Sequence, residues 1–286
     1  MTETLDTRAD MLLGLLDLER VEENLYLGQN QDMNSGRLFG GQVLAQATAA
    51  ASRTVEGPYM HSMHGYFLTA GSPQTPVLYE VERVRDGRSF TTRRVVAIQR
   101  GKAIFNMDVS FQHEEPGYAH SQAMPNVPHP DELPDDVETA RGLAGDIRLG
   151  YFARNVGPFE LRSVMPLGSE GWSKERMFNP TWVRFPQQID DPVLARCLLA
   201  YASDMGVVST ASLPHQTQTP RDRLQLASLD HALWVHRPFA FDDWLLFNKR
   251  TTSAGGSRGL IHAEVFHRNG DLVASVTQEG LLRIKV

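Results

Sequence analysis

The sequence predicts an α+β protein built as two similar halves in tandem, each a central helix followed by a run of antiparallel strands. Three observations carry this. An Ala- and Gln-rich run over residues 43–52 precedes four strand-like segments that end at Gln112. The same order of helix and strands returns after Leu194. A proline-rich stretch separates the two. A helix followed by consecutive strands is an α+β layout, not the alternation of a parallel βαβ sheet.

Each element follows from its local pattern. Residues 9–18 read as a short amphipathic helix, and residues 21–29 alternate weakly as a strand. Phe39-Gly40-Gly41-Gln42 opens the helix of residues 43–52, whose small side chains let a sheet approach closely. Strands are expected over 61–68, over 77–85 before the Asp86-Gly87 turn, and over 89–99 and 103–112 about Arg100-Gly101. Between Glu114 and Asp136 five prolines and several acids read as a linker, because proline neither donates to a ladder nor sits inside a helix. The second half then shows a helix over 194–211 and strands over 228–235, 244–251, 260–268 and 272–284, the last two joined at Asn269-Gly270. The domains are expected at 1–114 and 146–286, joined by a linker over 115–145.

The two halves align at low identity. His61 and Ser228 stand 167 positions apart, as do His64 and His231, and the hairpin glycines place Val109 opposite Gln278. In that alignment the first central helix, from Phe39 to Ser52, has no carboxylate to match one in the second.

Composition excludes several classes. The 286 residues are 41% hydrophobic and 22% charged, an ordinary globular profile. A net charge of −6 argues against a nucleic-acid surface, which needs clustered Lys and Arg. One cysteine, Cys197, allows no internal disulfide and no paired-cysteine site, and fits a reducing, cytoplasmic setting. The N-terminus lacks signal-peptide order, and no membrane span is expected. His61 with His64, and His231 with His236, offer no third ligand at zinc spacing, so no metal is expected. There is no P-loop, G-x-S-x-G or G-x-G-x-x-G motif. The basic stretch from Arg83 to Lys102 reads either as contacts to substrate phosphates or as a solvated sheet face.

Asp204 is the most informative residue. It follows an apolar stripe of Cys197, Ala200 and Tyr201 on its own helix face. A carboxylate there is costly unless paired or functional. The competing reading makes Asp204 a helix boundary and Gly206 a break. Ser228 and Gln278 gain interest only beside it.

Five ordered motifs carry a resemblance: Phe39-Gly40-Gly41-Gln42, His61-Ser62-Met63-His64 with Tyr66-Phe67-Leu68, Tyr201-Ala202-Ser203-Asp204, Ser228-Leu229-Asp230-His231 with His236-Arg237-Pro238-Phe239, and Gln278-Glu279-Gly280. Over nearly the whole chain the sequence resembles the acyl-CoA thioesterase II family. The resemblance implies two hotdog folds, cofactor-free hydrolysis of acyl-CoA in fatty-acid metabolism, and assembly as a homodimer or homotetramer. It also implies a catalytic trio at Asp204, Ser228 and Gln278. Ser228 stands where some relatives carry Thr. Asp204 is expected to activate water, or to attack the thioester directly, with Ser228 and Gln278 orienting the water. Gly41, His61 and His64 are candidate substrate contacts, Gly41 through a backbone N–H facing the oxyanion. The competing functions are a non-catalytic acyl-CoA binder and a hotdog hydratase or dehydratase.

Overall fold

The computed structural model describes residues 4–33, 36–143 and 157–285. Helix α1 (Leu5–Leu16) leads into the short strands β1 (Glu19–Glu22) and β2 (Leu25–Gly28). They turn at Asn24, whose φ of 59° splits the single strand expected there. Helix α2 (Gly40–Ser52) follows, then β3 (Tyr59–Phe67), β4 (Val77–Asp86), β5 (Phe90–Gln99) and β6 (Lys102–Gln112). These match the expected order. Gly101, at φ 72°, supplies the left-handed turn between β5 and β6.

The proline-rich segment runs exposed to residue 123 and then packs across the second half. Met124, Val127 and Leu133 lie against Trp182, Trp244, Leu246 and Phe266. Trp182 Nε1 donates to the Pro128 carbonyl at 3.0 Å. Helix α3 (Asp136–Gly142) closes the segment, capped by Asp135. The boundary expected between residues 145 and 146 lies outside the described residues.

The second half holds β7 (Glu160–Ser163), α4 (Glu170–Ser173), β8 (Phe178–Arg184), α5 (Pro192–Ser203), α6 (Val207–Thr210), β9 (Leu224–Ser228), β10 (Asp230–Val235), β11 (Leu245–Gly255), β12 (Arg258–His267) and β13 (Leu272–Ile284). Strands β7 and β8 were not legible in the sequence. One spans four residues and the other carries Pro180, which ordinarily argues against a strand. Pro180 is tolerated because it lies just beyond the β7 ladder, which runs from Thr181 to Arg184.

Among the described residues the strands form one antiparallel sheet, in the order β1-β2-β4-β5-β6-β3-β10-β13-β12-β11-β8-β7, with β9 also on β13. The halves join at β3 and β10, where Met63 faces Leu233. One hydrophobic core runs through both, with the buried faces of α2 and α5 at its centre. The run Pro192–His215 is long and apolar enough to cross a membrane by composition, but most of it is buried inside the protein.

Pairing and burial also set the repeat. Met63 is buried opposite Val109, and His64 is exposed. In the second half His231 and Gln278 are the buried pair. The structural counterparts are therefore Met60 with Ser228 and Met63 with His231, 168 positions apart. Aligning His61 with Ser228 and His64 with His231 is off by one residue, and a one-residue slip exchanges the inner and outer faces of a strand. The pairing of Val109 with Gln278 agrees with the structure.

Candidate active site

Asp204 lies at the end of α5. The sequence predicts a helix continuing to residue 211, but α5 stops at Ser203, Asp204 is its C-cap at φ −91° and ψ −6°, and Gly206 turns the chain at φ +67°. Asp204 is therefore a helix boundary, as the competing reading expected, and its side chain is also buried, 7% exposed. Leu198, Tyr201 and Ala202 pack the helix above it into the core.

The N-terminus of α2 abuts this end of α5. A Cβ on Gly40 would stand 2.6 Å from Asp204 Oδ2, and one on Gly41 would stand 2.5 Å from the Tyr201 carbonyl oxygen. Glycine at both positions is what allows the approach. The Gly41 backbone N–H donates to the Asp204 carboxylate. That amide is the one expected to face an oxyanion.

Ser228 and Gln278 arrive on β9 and β13. Ser228 Oγ donates to Asp204 Oδ1 at 3.2 Å. Gln278 Nε2 donates to the same oxygen at 3.1 Å and to Ser228 Oγ at 2.7 Å. Gln278 is fully buried. Residues separated by 24 and 50 positions thus share one cluster.

Local backbone irregularity makes this convergence workable. Ser228 pairs with Gly280 on β13, whereas Ala232 pairs with Thr277. The β9–β10 chain therefore spends one more residue than β13 over the same length. Such a bulge re-aims a side chain. Leu229 absorbs it, donating its N–H to the Glu279 carbonyl and accepting from Phe67 N–H. Asp230 accepts the Glu279 N–H at 2.6 Å. As a result Ser228 and His231, three residues apart, both face inward. The first half has a matching register shift between Met60 and Ser62.

His231, which the sequence singles out only as one of a histidine pair without a third ligand at zinc spacing, is a member of this cluster. It is buried, with Nδ1 2.6 Å from Gln278 Oε1 and Nε2 2.8 Å from Ser203 Oγ. The signal that could have found it is the motif itself, Ser228-Leu229-Asp230-His231, once the bulge at Leu229 is allowed for.

Burial governs the electrostatics. Desolvation pushes the Asp204 carboxyl up from 3.8 to about 6, against the opposing pull of its bonds from Gln278, Ser228 and Gly41. Desolvation also lowers His231 to about 4, so its imidazole is neutral near pH 7. A second buried carboxyl, Asp136, is raised to about 6 by desolvation, beyond what its bonds from Ser163 offset.

His61 and His64 stand apart from this cluster. His61 Nε2 lies 2.8 Å from Ser110 Oγ, and its ring is edge-on to Phe90. His64 is exposed, its ring edge-on to Trp234 with centroids 4.8 Å apart. No group of three or more His, Cys, Asp or Glu side chains is arranged to hold a metal among the described residues. Cys197 is buried, and burial pushes its thiol up to about 12.

A family described as acyl-CoA thioesterase matches residues 173–281, and the acyl-CoA thioesterase N-terminal domain matches residues 29–112. Acyl-coenzyme A thioesterase 8 of Mus musculus is 39% identical over 98% of this chain and 91% of its own. Acyl-CoA thioesterase 2 of Haemophilus influenzae is 34% identical over 95% and 96%. The crystal structure of an acyl-CoA thioesterase II from Mycobacterium marinum is 40% identical and superposes with a TM-score of 0.78, covering 96% of this chain and 98% of that one. A hot dog fold protein from Alicyclobacillus acidocaldarius, at 18% identity, shares the fold with a TM-score of 0.75. With both halves matched in order and the identity spread over nearly its full length, this double-hotdog chain belongs to the acyl-CoA thioesterase family.

Proposed function

We propose that the chain hydrolyses acyl-CoA thioesters to a free carboxylic acid and CoA, with Asp204 as general base. The observation that carries this reading is one buried carboxylate held by a hydroxyl, an amide and a helix N-terminus in a chain of this family. A carboxyl group poised near 6 is largely ionised at neutral pH yet basic enough to take a proton, which an ordinary aspartate near 3.9 does poorly. Water bound at Asp204 and Ser228 attacks the thioester carbonyl as its proton passes to the carboxylate. The tetrahedral intermediate then collapses, the C–S bond breaks, and the departing thiolate takes the proton back from Asp204. Ser228 and Gln278 hold base and water in one geometry, which lowers the entropic cost of attack. The N-terminus of α2 adds a positive potential near the developing negative charge.

One such site per chain follows. The first-half counterparts of Ser228 and Gln278 are Met60 and Val109, and Arg53 caps α2 where Asp204 caps α5. The first half contributes the Gly40-Gly41 end of α2 instead. A homodimer or homotetramer in a reducing, cytoplasmic compartment completes the reading. Exposed Tyr66, Leu68 and Phe178 fit the assembly, and the lone buried cysteine fits the compartment.

The test is release of free thiol from a panel of acyl-CoAs of increasing chain length. Thiol release at steady turnover is the expected result. Saturable acyl-CoA binding without release would make the chain a binder. Loss of acyl-chain unsaturation with CoA still attached would make it a hydratase.

A further inference from the structure

The Gln278 carboxamide decides whether the trio is assembled, because its two ends have almost the same shape and opposite hydrogen-bonding sense. With the nitrogen inward, both N–H groups are used, one on Asp204 Oδ1 and one on Ser228 Oγ. With the oxygen inward, an acceptor would face a carboxylate, and Ser228 would lose its donor. The terminal torsion of glutamine is broad and roughly two-fold, so the side chain itself does not select between the two.

We propose that His231 is a positioning residue that selects the inward-nitrogen orientation by donating its Nδ1–H to Gln278 Oε1, with Ser203 holding the ring in the tautomer this requires. The proposal rests on the catalytic reading of Asp204, Ser228 and Gln278 above. A neutral imidazole carries one proton. Because both Gln278 hydrogens are spent elsewhere, its Oε1 must accept, and the 2.6 Å contact places the imidazole proton on Nδ1. Nε2 is then an acceptor, and Ser203 Oγ lies 2.8 Å away to donate. That hydroxyl has a single proton and also lies 2.9 Å from the Ala200 carbonyl one turn back, so the proton is shared between Nε2 and the carbonyl in a three-centre bond that ties Ser203 to its helix. Ser203 is covalently followed by Asp204, so the bonds close a ring: Ser203, His231, Gln278, Asp204. All four side chains are buried, and lost bonds there are not readily replaced by water.

The duplicated half shows that this polar pair is not needed to build the sheet. Met63 and Val109 occupy the equivalent buried positions, directly opposite each other on β3 and β6. The histidine and the glutamine are present together in one half and absent together in the other, as expected if one serves the other.

The experiment is a set of steady-state measurements on the full chain with an acyl-CoA substrate. His231→Met, which installs the first-half residue, is expected to lower kcat about tenfold or more while leaving KM nearly unchanged. His231→Asn places an amide nitrogen near the position of Nδ1 and should recover much of that loss. In a Gln278→Ala background, where no amide remains to orient, His231→Met should cost nothing further. Wild-type kcat in His231→Met would overturn the proposal. So would an equal loss in the Gln278→Ala background, or an Asn variant no better than Met, because each points to packing alone. If Gln278→Ala itself turns over normally, the trio reading fails and this proposal with it, whereas the other adverse results leave the trio intact. Should His231→Met fail to fold, Ser203→Ala carries the same comparison. It should show a smaller kcat loss that also disappears in the Gln278→Ala background, and wild-type kcat there would overturn the proposal.

Discussion

Replacing Asp204 with asparagine should make the protein more stable at neutral pH while removing its activity. The carboxyl titrates at about 6 in the folded chain and 3.8 when exposed, a rise of about two pH units. Below pH 3.8 it is protonated in both states and contributes no difference. Between 3.8 and 6 the folded chain keeps a proton that the unfolded chain has released, so wild-type stability falls as pH rises. Above about pH 6 the whole penalty is in place, about 3 kcal/mol at 1.36 kcal/mol per unit. Asparagine keeps an oxygen for Gln278 and Ser228 but adds an N–H₂ on the side of Gly40, which costs roughly 1 kcal/mol or more. The net expectation is a gain of about 1–2 kcal/mol at pH 7.5 that shrinks steadily toward pH 4, where only the cost of the amide remains. Urea unfolding of both proteins at pH 4, 6 and 7.5 measures it. A variant no more stable than wild type at pH 7.5, or a gap independent of pH, would refute the claim that burial drives this carboxyl.

Three other substitutions probe the same structure. Ser228→Ala leaves Gln278 and Gly41 on the carboxylate, so kcat should fall roughly tenfold, well short of the loss of about 10²–10⁴ expected for removing the base itself. Gly40→Ala would drive a methyl group to 2.6 Å from Asp204 Oδ2 and 2.9 Å from Phe67; it should lower kcat sharply and cost about 1–3 kcal/mol in unfolding experiments. Lys249 is a buried cation lowered to about 8 by desolvation, only partly offset by Asp136, at the position that Val81 fills in the first half. Below pH 8 the folded chain must bury that charge, so Lys249→Met should raise the melting temperature at pH 7, with the gain fading as pH approaches 10.5.

The sequence revealed the helices and long strands because their apolar periodicity is strong and their turns carry Asp86-Gly87, Arg100-Gly101 and Asn269-Gly270. Irregular features were hidden. A segment expected as one strand over 228–235 is two, β9 and β10, separated at Leu229. Alternation alone would put Ser228 and His231 on opposite faces, and only the bulge brings both inside. The same blindness shifted the internal repeat by one residue, because matching histidines by type ignores which face they occupy. The cluster at Asp204 was legible through ordered motifs resembling a known family. No local spacing rule links residues 204, 228 and 278, which meet through the packing of α2 on α5 and the pairing of β9 with β13. The ring through Ser203 and His231 depends on side-chain hydrogen bonds across three elements, which periodicity does not encode.

The pH dependence of kcat/KM for acyl-CoA hydrolysis is the most direct measure of whether Asp204 is the base. The account predicts a rise through a single ionisation near pH 6 and a plateau above it in the wild-type protein, with that limb missing from the residual activity of Asp204→Asn. A profile level from pH 5 to 7, or the same limb surviving in the asparagine variant, would assign the proton transfer to another group.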